Sequence, residues 1–394
     1  MSTPGATEPT TTAQTATAQT ATAQTAAGTG TPGPAPRLLL ATGGSGGHVY
    51  PAVALARAAL ARGAEVLLLG GEDGMEATLV PAAGLPFVGV PTGKFDRQRP
   101  DPRAPFRALA GVLRARGVLR RWRPQLVVGF GGFAAFPGSA AAITSGTPLI
   151  LHETNAFPGL VTRKLASRAR LVVVCQAEAA ARLPRAHSLV VPFPVREERV
   201  ERAAARRALG VPEDALLTLV MGGSQGSLAL NRTLPRLARR LAAREPRLWV
   251  LHATGARWLE SVRAEVAGAA RYRLEAFVDA SLAWSAADLA ITRGGYGTLA
   301  EAAYHAVPLV VVPLPSAADD HQRHNAEALA RAGAGAWVRQ GDDDALAAAW
   351  AALLDDERRA LARAAQAARS PAGGTNTLLE TVWPWLTDSG KASA

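Results

Sequence analysis

His48 is the residue of this 394-residue chain whose position best suits acid–base chemistry. It ends the segment TGGSGGH at 42–48, which follows an aliphatic run and precedes a helical pattern. Histidine can act as a general base because it changes its protonation state near neutral pH. The predicted position of His48 also suits this role, because substrates bind at the carboxyl edge of a parallel sheet. Glycines ahead of a helix let a ligand approach unpaired N–H groups. The segment predicts a binding loop with a general base, although a plain strand-to-helix turn would also explain the glycines.

The 42–48 segment matches neither of two common nucleotide motifs. It lacks the G-x-G-x-x-G spacing, and no acidic residue ends the next strand at the usual distance of about 20 residues. A P-loop would need a Lys-Ser/Thr pair after its last glycine. The sequence therefore predicts no dinucleotide cofactor, and no cofactor of any other kind is expected.

Two later glycine-rich segments could bind phosphate. Residues 222–227 (GGSQGS) again lie between a strand and a helix, and Ser224 offers a hydroxyl. Residues 292–301 end on Glu301 in the early turns of a helix, where a carboxylate can accept both hydroxyls of a ribose. Glu301 could also serve only to complement the helix dipole. Together the segments predict a site for a nucleoside diphosphate.

The segment DDHQRHN at 319–325 carries polar residues after another strand. His321 and His324 with the two aspartates could hold a divalent cation, but no third strong ligand has a matching spacing. Gln322 and Asn325 are three residues apart, so on a helix they share a face that suits sugar hydroxyls. We therefore predict sugar binding here and no metal site.

Short aliphatic runs that alternate with alanine-rich helical stretches must position these segments. Because strand, glycine turn and helix recur in both halves, we predict two doubly wound parallel-sheet α/β domains. The predicted strands are 37–41, 65–69, 126–130, 149–151, 215–220 and 309–313.

The predicted domains are 37–195 and 196–376, joined near 192–199, where two prolines interrupt regular structure. A last helix and tail occupy 377–394. Residues 1–36 contain 12 threonines and 9 alanines, which predicts a disordered tail because so little apolar surface can be buried. The tail lacks the basic start and apolar core of a signal peptide.

The composition excludes two classes of protein. The single cysteine, Cys175, rules out an internal disulfide and favours a reducing compartment. Residues 124–151 carry no charge and are long enough to cross a bilayer, but five glycines and the internal prolines Pro137 and Pro148 favour strand, turn, helix and strand instead. A protein that is not membrane-spanning is therefore predicted.

The net charge of +11 is concentrated in 37–195, and residues 94–123 alone contribute +8. On a helix Phe106, Leu109, Ala110, Leu113 and Gly117 form one stripe, and Arg107, Arg114 and Arg121 form another. Such a helix can lie on an anionic membrane, or pack its apolar stripe on its own domain. Nucleic acid is not predicted as a partner, because aromatic residues for base stacking are missing.

Taken together and in order, these motifs resemble the MurG family, whose members add N-acetylglucosamine (GlcNAc) to the lipid-linked muramoyl-pentapeptide precursor of peptidoglycan. The resemblance extends from about residue 36 to 385. It rests on residues 43–51 (GGSGGHVYP), 129–133 (GFGGF), 152–155 (HETN), 194–196 (PVR), 222–226 (GGSQG), Glu301 and 321–325.

The resemblance implies a GT-B fold, with two Rossmann-like domains facing a cleft and the last helix crossing back to the first domain. It implies UDP-GlcNAc as donor and the lipid-linked muramoyl-pentapeptide as acceptor, at the cytoplasmic face of the cell membrane, with 94–123 on the anionic surface. The residues implied to bind substrate are Ser45, Gly46 and Gly47 at the diphosphate, Asn155 and Gln322 at the GlcNAc, Arg196, Ser224 and the Val278 backbone at the nucleotide, Tyr296, Gly297, Thr298, Leu299 and Ala300 at the phosphates and sugar, and Glu301 at the ribose.

The family's donor is α-linked and its product β-linked, which implies a single inverting displacement. His48 is the predicted base for the acceptor's C4 hydroxyl, with Glu153 as the alternative. Other GT-B enzymes, such as a diacylglycerol glycosyltransferase or a UDP-GlcNAc 2-epimerase, would share the donor side. The chain departs from the family at Thr154, where glutamine is usual, at Phe193, where asparagine is usual, and in the 36-residue tail, to which no counterpart is assigned. Ser45 replaces the usual threonine and keeps the hydroxyl.

Overall fold

The computed structural model describes residues 34–93, 101–223, 225–317 and 320–387. In this part of the chain the strands form two fully parallel sheets, one of seven strands and one of six. The predicted tail at 1–36 lies outside the described residues except for its last three positions. The beginning of the basic segment, 94–100, also lies outside them.

The first sheet has the strand order β3-β2-β1-β4-β5-β6-β7, the doubly wound order in which the chain reverses direction beside β1. Its strands are β1 (Arg37–Ala41), β2 (Glu65–Gly71), β3 (Phe87–Val90), β4 (Leu126–Gly129), β5 (Leu149–Glu153), β6 (Leu171–Val174) and β7 (Ser188–Val190). The helices between them are α1 (Gly46–Ala61), α2 (Glu76–Ala82), α3 (Ala104–Trp122), α4 (Gly132–Ser145), α5 (Leu160–Leu165) and α6 (Ala177–Ala181).

The second sheet repeats this order as β10-β9-β8-β11-β12-β13. Its strands are β8 (Leu216–Met221), β9 (Leu248–Ala253), β10 (Tyr272–Glu275), β11 (Leu289–Thr292), β12 (Leu309–Val311) and β13 (Gly335–Trp337). The remaining helices are α7 (Arg202–Leu209), α8 (Leu228–Ala242), α9 (Leu259–Glu265), α10 (Ala280–Ala286), α11 (Tyr296–Tyr304), α12 (His321–Arg331), α13 (Asp343–Leu354), α14 (Asp356–Ala368) and α15 (Gly374–Thr387).

The prediction of two doubly wound α/β domains is confirmed. Strands buried on both faces read as continuous aliphatic runs, which is why β1 and β8 were recognisable. Leu38, Leu39 and Leu40 of β1 are all fully buried. The uncharged stretch 124–151 forms β4, α4 and β5, and no helix among the described residues is long and apolar enough to cross a membrane.

The helix α15 packs on the first sheet although it follows the second. Leu378, Leu379, Val382 and Leu386 are buried in the same core as Leu38 of β1. This packing ties the end of the chain to the first domain. Residues 191–201 join the two sheets without regular structure.

A buried ion pair anchors the start of the second domain. Arg206 of α7 is 1% exposed and donates to Asp288, which also accepts the N–H of Leu217 at 2.8 Å. A charge in the interior is tolerated when it is paired and hydrogen-bonded, as it is here. The pair therefore fixes α7 against β8 and β11.

The first part of helix α3 buries small residues and exposes large apolar ones, whereas Val118 and Leu119 near its end are buried. Its buried face carries Ala108, Gly111 and Ala115, whereas Phe106 is 75% exposed and Leu113 is 60% exposed. The interpretation in which the apolar stripe packs on its own domain is therefore wrong. The helix packs closely against the segment that follows β3, and this packing selects small side chains. A Cβ on Gly111 would lie within 3.0 Å of the Pro91 carbonyl oxygen.

Candidate active site

His48 lies in the first turn of α1, at the carboxyl edge of the first sheet. Ser45 is the N-cap of this helix, and its Oγ lies 3.0 Å from His48 Nδ1. The Gly43 carbonyl acts on the ring as well, because it raises the pKa of His48. The Ser45 hydroxyl can donate or accept, so it can orient either tautomer of the ring. The imidazole is thus positioned where a general base would act.

Burial lowers the pKa of His48 below its ordinary value of 6.5. His321, on the second domain, lowers this pKa further, whereas Glu153, the Gly43 carbonyl and Glu76 oppose the shift. Desolvation disfavours the charged imidazolium. At neutral pH the ring is therefore neutral and able to take a proton.

An NMR titration of the imidazole resonances should give His48 a midpoint below 6.5. The same spectrum should show His152 still neutral at pH 5, because burial lowers the pKa of His152 to about 3. Assignment comes from the resonance lost in His48→Gln. A His48 midpoint at or above 6.5 would contradict this account of the site.

Glu153, the alternative base, is the last residue of β5 and is 4% exposed. Its carboxylate accepts the N–H groups of Asn155 at 3.0 Å and Gly159 at 2.9 Å, the hydroxyl of Thr162 at 2.8 Å, and the Asn155 amide at 3.2 Å. Four donors occupy the oxygens. Glu153 therefore organises the loop after β5, and the side-chain oxygen of Asn155 remains available to a ligand.

A cavity of about 570 Å³ opens on the second domain, where the N-termini of α8 and α11 point. Gly222, Gly223 and Gly226 line one side, and Thr298 and Gln322 line the other. Helix N-termini and glycine loops favour anions. The cavity is thus chemically suited to a diphosphate. Ser224 lies outside the described residues.

Two arginines that the sequence interpretation did not single out line this cavity. Arg293 follows β11 and donates to the Val312 carbonyl at 3.0 Å and to Gln340 at 2.8 Å, while Arg232 projects from α8. Burial lowers the pKa of Arg293, yet a guanidinium remains charged at neutral pH. The sequence signal that could have identified Arg293 was its position next to the glycines of the segment 292–301.

Gln322 and Asn325 have different surroundings despite their shared spacing. The Gln322 oxygen accepts the N–H groups of Gly294 at 3.1 Å and Leu314 at 3.0 Å, which leaves its amide nitrogen for a ligand. Asn325 is 3% exposed and donates to the Gly294 carbonyl at 3.0 Å. Of the predicted sugar-binding pair, only Gln322 reaches the cavity. Within the described residues no group of three or more His, Cys, Asp or Glu side chains could hold a metal ion.

Glu301 lies on α11 of the second domain, and its side chain is partly buried. One of its oxygens accepts the indole N–H of Trp284 at 3.2 Å. Burial raises the pKa of Glu301, and this hydrogen bond and the exposed Arg196 oppose the shift. Glu301 also helps to raise the pKa of Tyr50 on α1, where burial is the main cause. The linker, α1 and α11 thus bring these polar groups together.

The predicted loops of the two domains meet directly. A Cβ on Gly297 would lie 3.9 Å from the Gly47 Cα and 3.6 Å from the Phe193 ring. The Phe193 ring, in the position where asparagine is usual, stacks edge-on against Tyr296 with centroids 5.5 Å apart. Gly46 and Gly47 begin α1, where the first N–H groups of a helix have no intrahelical partner.

Other predicted residues face away from the large cavity. Tyr296, Leu299 and Ala300 line a second cavity of about 240 Å³ together with Arg369. The side chains of Leu299 and Ala300 are only 2% and 7% exposed, and neither residue lines the large cavity. Val278 lies between β10 and α10 and packs its side chain against the core of the second domain.

Comparison with known proteins places this geometry in a family. Residues 38–174 match the glycosyltransferase family 28 N-terminal domain, and residues 217–378 match the family 28 C-terminal domain. These two matches contain the first sheet except β7 and all of the second sheet.

Curated relatives match over nearly their whole length. A UDP-N-acetylglucosamine--N-acetylmuramyl-(pentapeptide) pyrophosphoryl-undecaprenol N-acetylglucosamine transferase of Deinococcus deserti is 46% identical over 85% of this chain and 95% of its own. The protein of the same name from Thermus thermophilus is 43% identical, over 89% and 100%. The crystal structure of Acinetobacter baumannii MurG superposes with a TM-score of 0.70 at 29% identity, over 89% of this chain and 99% of that one. The chain therefore belongs to glycosyltransferase family 28 and, within it, to the MurG family.

Proposed function

We propose that the protein moves GlcNAc from UDP-GlcNAc to the C4 hydroxyl of undecaprenyl-diphospho-N-acetylmuramoyl-pentapeptide, with inversion at the anomeric carbon. One observation carries the proposal. The relatives matched over 95% and 100% of their length bear the name of the transferase that acts between these two molecules. The contact of the His48 loop with α11 supports the same reaction, since a Cβ on Gly297 would lie 3.9 Å from the Gly47 Cα and Thr298 of α11 lines the 570 Å³ cavity.

On the donor side, the diphosphate lies in the cavity of the second domain. The N-termini of α8 and α11 and the guanidinium of Arg293 offset its charge. The ribose hydroxyls bond the Glu301 oxygen that faces away from Trp284, with Arg196 beside it and the uracil at the Val278 backbone. The Gln322 amide and the Asn155 oxygen contact the GlcNAc.

On the acceptor side, His48 removes the proton of the C4 hydroxyl as that oxygen attacks the anomeric carbon. The bond from this carbon to the diphosphate oxygen breaks, and UDP leaves with the electron pair. The developing negative charge meets preorganised N–H groups, which lowers the barrier most in a site with little water. Gly46 and Gly47 contact the acceptor diphosphate at the start of α1.

Radiolabelled UDP-GlcNAc incubated with the lipid-linked muramoyl-pentapeptide tests the proposal. We expect label in the lipid product and UDP released in equal amount. Transfer to diacylglycerol but not to this acceptor would contradict the acceptor assignment. Release of UDP at the same rate without any acceptor would favour an epimerase-like reaction instead.

The acceptor is a lipid, and α3 supplies a surface that suits an anionic membrane at the cytoplasmic face. Phe106, Leu109 and Leu113 are 75%, 58% and 60% exposed and form the stripe opposite the buried face. Arginines flank this stripe on both sides. Of these, Arg107 and Arg114 are paired with Asp73 and Glu72 at 2.8 and 3.1 Å, whereas Arg116, Arg120 and Arg121 lie further along the helix.

Replacing Phe106, Leu109 and Leu113 together with serine should weaken sedimentation with anionic vesicles by at least about tenfold, since each inserted side chain contributes about 1.5–3 kcal/mol when fully buried. Leu361→Ser is the matched control, because Leu361 is 67% exposed on α14 of the second domain. Equal sedimentation of the triple variant and the wild type would remove α3 as the membrane surface.

A further inference from the structure

Glu76, the first residue of α2, is a fully buried carboxylate beside the glycine loop at the start of α1. One oxygen accepts the N–H of Gly71 at 2.8 Å and the other accepts the N–H of Gly44 at 3.0 Å. A buried carboxylate is costly unless hydrogen bonds satisfy it. Glu76 therefore links the end of β2 to the loop that follows β1.

The surrounding glycines make room for this carboxylate. A Cβ on Gly43, Gly71 or Gly74 would lie within 3.0 Å of a Glu76 carboxylate oxygen. Gly43 and Gly44 also have positive φ angles of 138° and 83°, which side chains with a Cβ rarely adopt. Part of the glycine pattern at 42–48 is thus explained by Glu76 and not by a ligand.

The same loop holds His48 on its other side. Ser45 Oγ lies 3.0 Å from Nδ1 of the imidazole, and the Gly43 carbonyl raises the pKa of the ring. Gly44, between these two residues, gives its N–H to Glu76. A shift at Gly44 therefore moves both groups that orient the ring.

The geometry points to Glu76 as a positioning residue for sugar transfer, which holds Gly44 so that Gly43 and Ser45 aim the His48 imidazole at the acceptor hydroxyl. The inference rests on the proposed function. Glu76 itself is fully buried and contacts no substrate.

A purely structural role for Glu76 would predict a different result. The titratable groups that act on His48 are Glu153, His321, Glu76 and, through its own pKa, His152. Glu76 raises the pKa of His48, so Glu76→Gln should move the acidic limb of the kcat profile to lower pH. This limb reports the charge of Glu76, whereas kcat reports its positioning role. A residue that only stabilises α2 would lower the melting temperature and leave kcat in place.

The test is the kcat, the KM for UDP-GlcNAc and the pH profile of the full chain, with wild-type transfer measured first in the same assay. Glu76→Gln should lower kcat about tenfold, because a small displacement of a reacting group is costly, and should leave KM within about twofold. Glu76→Asp keeps the charge, so its kcat should fall without a shift of the acidic limb.

Gly74→Ala provides a second route if Glu76→Gln does not fold. Its added Cβ would push the carboxylate away while keeping its charge, so kcat should fall as in Glu76→Asp. Asp288→Asn is the matched control, since it removes a buried carboxylate that accepts a backbone N–H in the other domain.

We expect Asp288→Asn to lower the melting temperature and to leave both kcat and the acidic limb unchanged. Wild-type kcat in Glu76→Gln, or a loss of melting temperature alone in Gly74→Ala, would overturn the inference. No transfer by the wild type would instead contradict the proposed function.

Discussion

His48→Ala is expected to lower kcat by about 100- to 10,000-fold, the usual contribution of a general base. The KM for UDP-GlcNAc should change little, because the cavity that we propose for the donor is lined by residues of the second domain. The wild-type profile should lose activity only below pH 6.5, since burial lowers the pKa of His48 and protonation removes the base. This acidic limb should disappear in the variant. Steady-state kinetics from pH 4.5 to 9 provide the measurement.

His187→Ala is the matched control for this experiment. His187 is exposed just before β7, at the edge of the first sheet, and its replacement should leave kcat at the wild-type value. A His48→Ala enzyme with kcat within about threefold of the wild type would show that another group takes the proton. Glu153 would then be the first residue to test, despite its four hydrogen-bond donors.

Glu301→Ala is expected to raise the KM for UDP-GlcNAc by about 10- to 100-fold, because a hydrogen bond to a charged group contributes about 1.5–3 kcal/mol. The effect on kcat should be smaller, since the ribose is remote from the reacting carbon. Trp284 loses its acceptor in this variant, so the melting temperature must be measured alongside the kinetics.

A 2′-deoxy donor, which is UDP-GlcNAc without one ribose hydroxyl, separates an effect of Glu301 on donor binding from an effect on protein stability. The wild type should discriminate against this 2′-deoxy donor, and Glu301→Ala should use it as well as UDP-GlcNAc. Glu260→Ala, an exposed glutamate on α9, should keep the wild-type discrimination. Undiminished discrimination in Glu301→Ala would place the ribose elsewhere.

Sequence pattern was sufficient for the architecture and for the location of the glycine-rich loops. Aliphatic runs such as 37–41 and 215–220 mark strands buried on both faces, and each glycine turn follows the end of such a strand. Because parallel strands end at one edge of a sheet, the order of these pieces already placed the loops at the cleft.

The sequence pattern could not show which atoms of a loop face a ligand. The run at 296–301 was predicted as a unit, yet Tyr296 contacts Phe193, and the side chains of Leu299 and Ala300 are buried. Asn325 likewise bonds the Gly294 carbonyl instead of reaching the cavity. These orientations depend on which neighbour packs against each helix, and that neighbour is distant in sequence.

The 394 residues by themselves determined two parallel-sheet domains, a glycine loop ending on His48 and a basic helix in the first half, because strand burial, helix starts and charge are local properties. Only the tertiary structure decided that α3 exposes Phe106 and Leu113, and that Glu76 lies under the His48 loop. The physical reason is packing. Where α3 approaches its neighbours most closely, at Ala108 and Gly111, only small side chains fit. The buried carboxylate of Glu76 is satisfied because backbone N–H groups from β2 and from the loop after β1 converge on it.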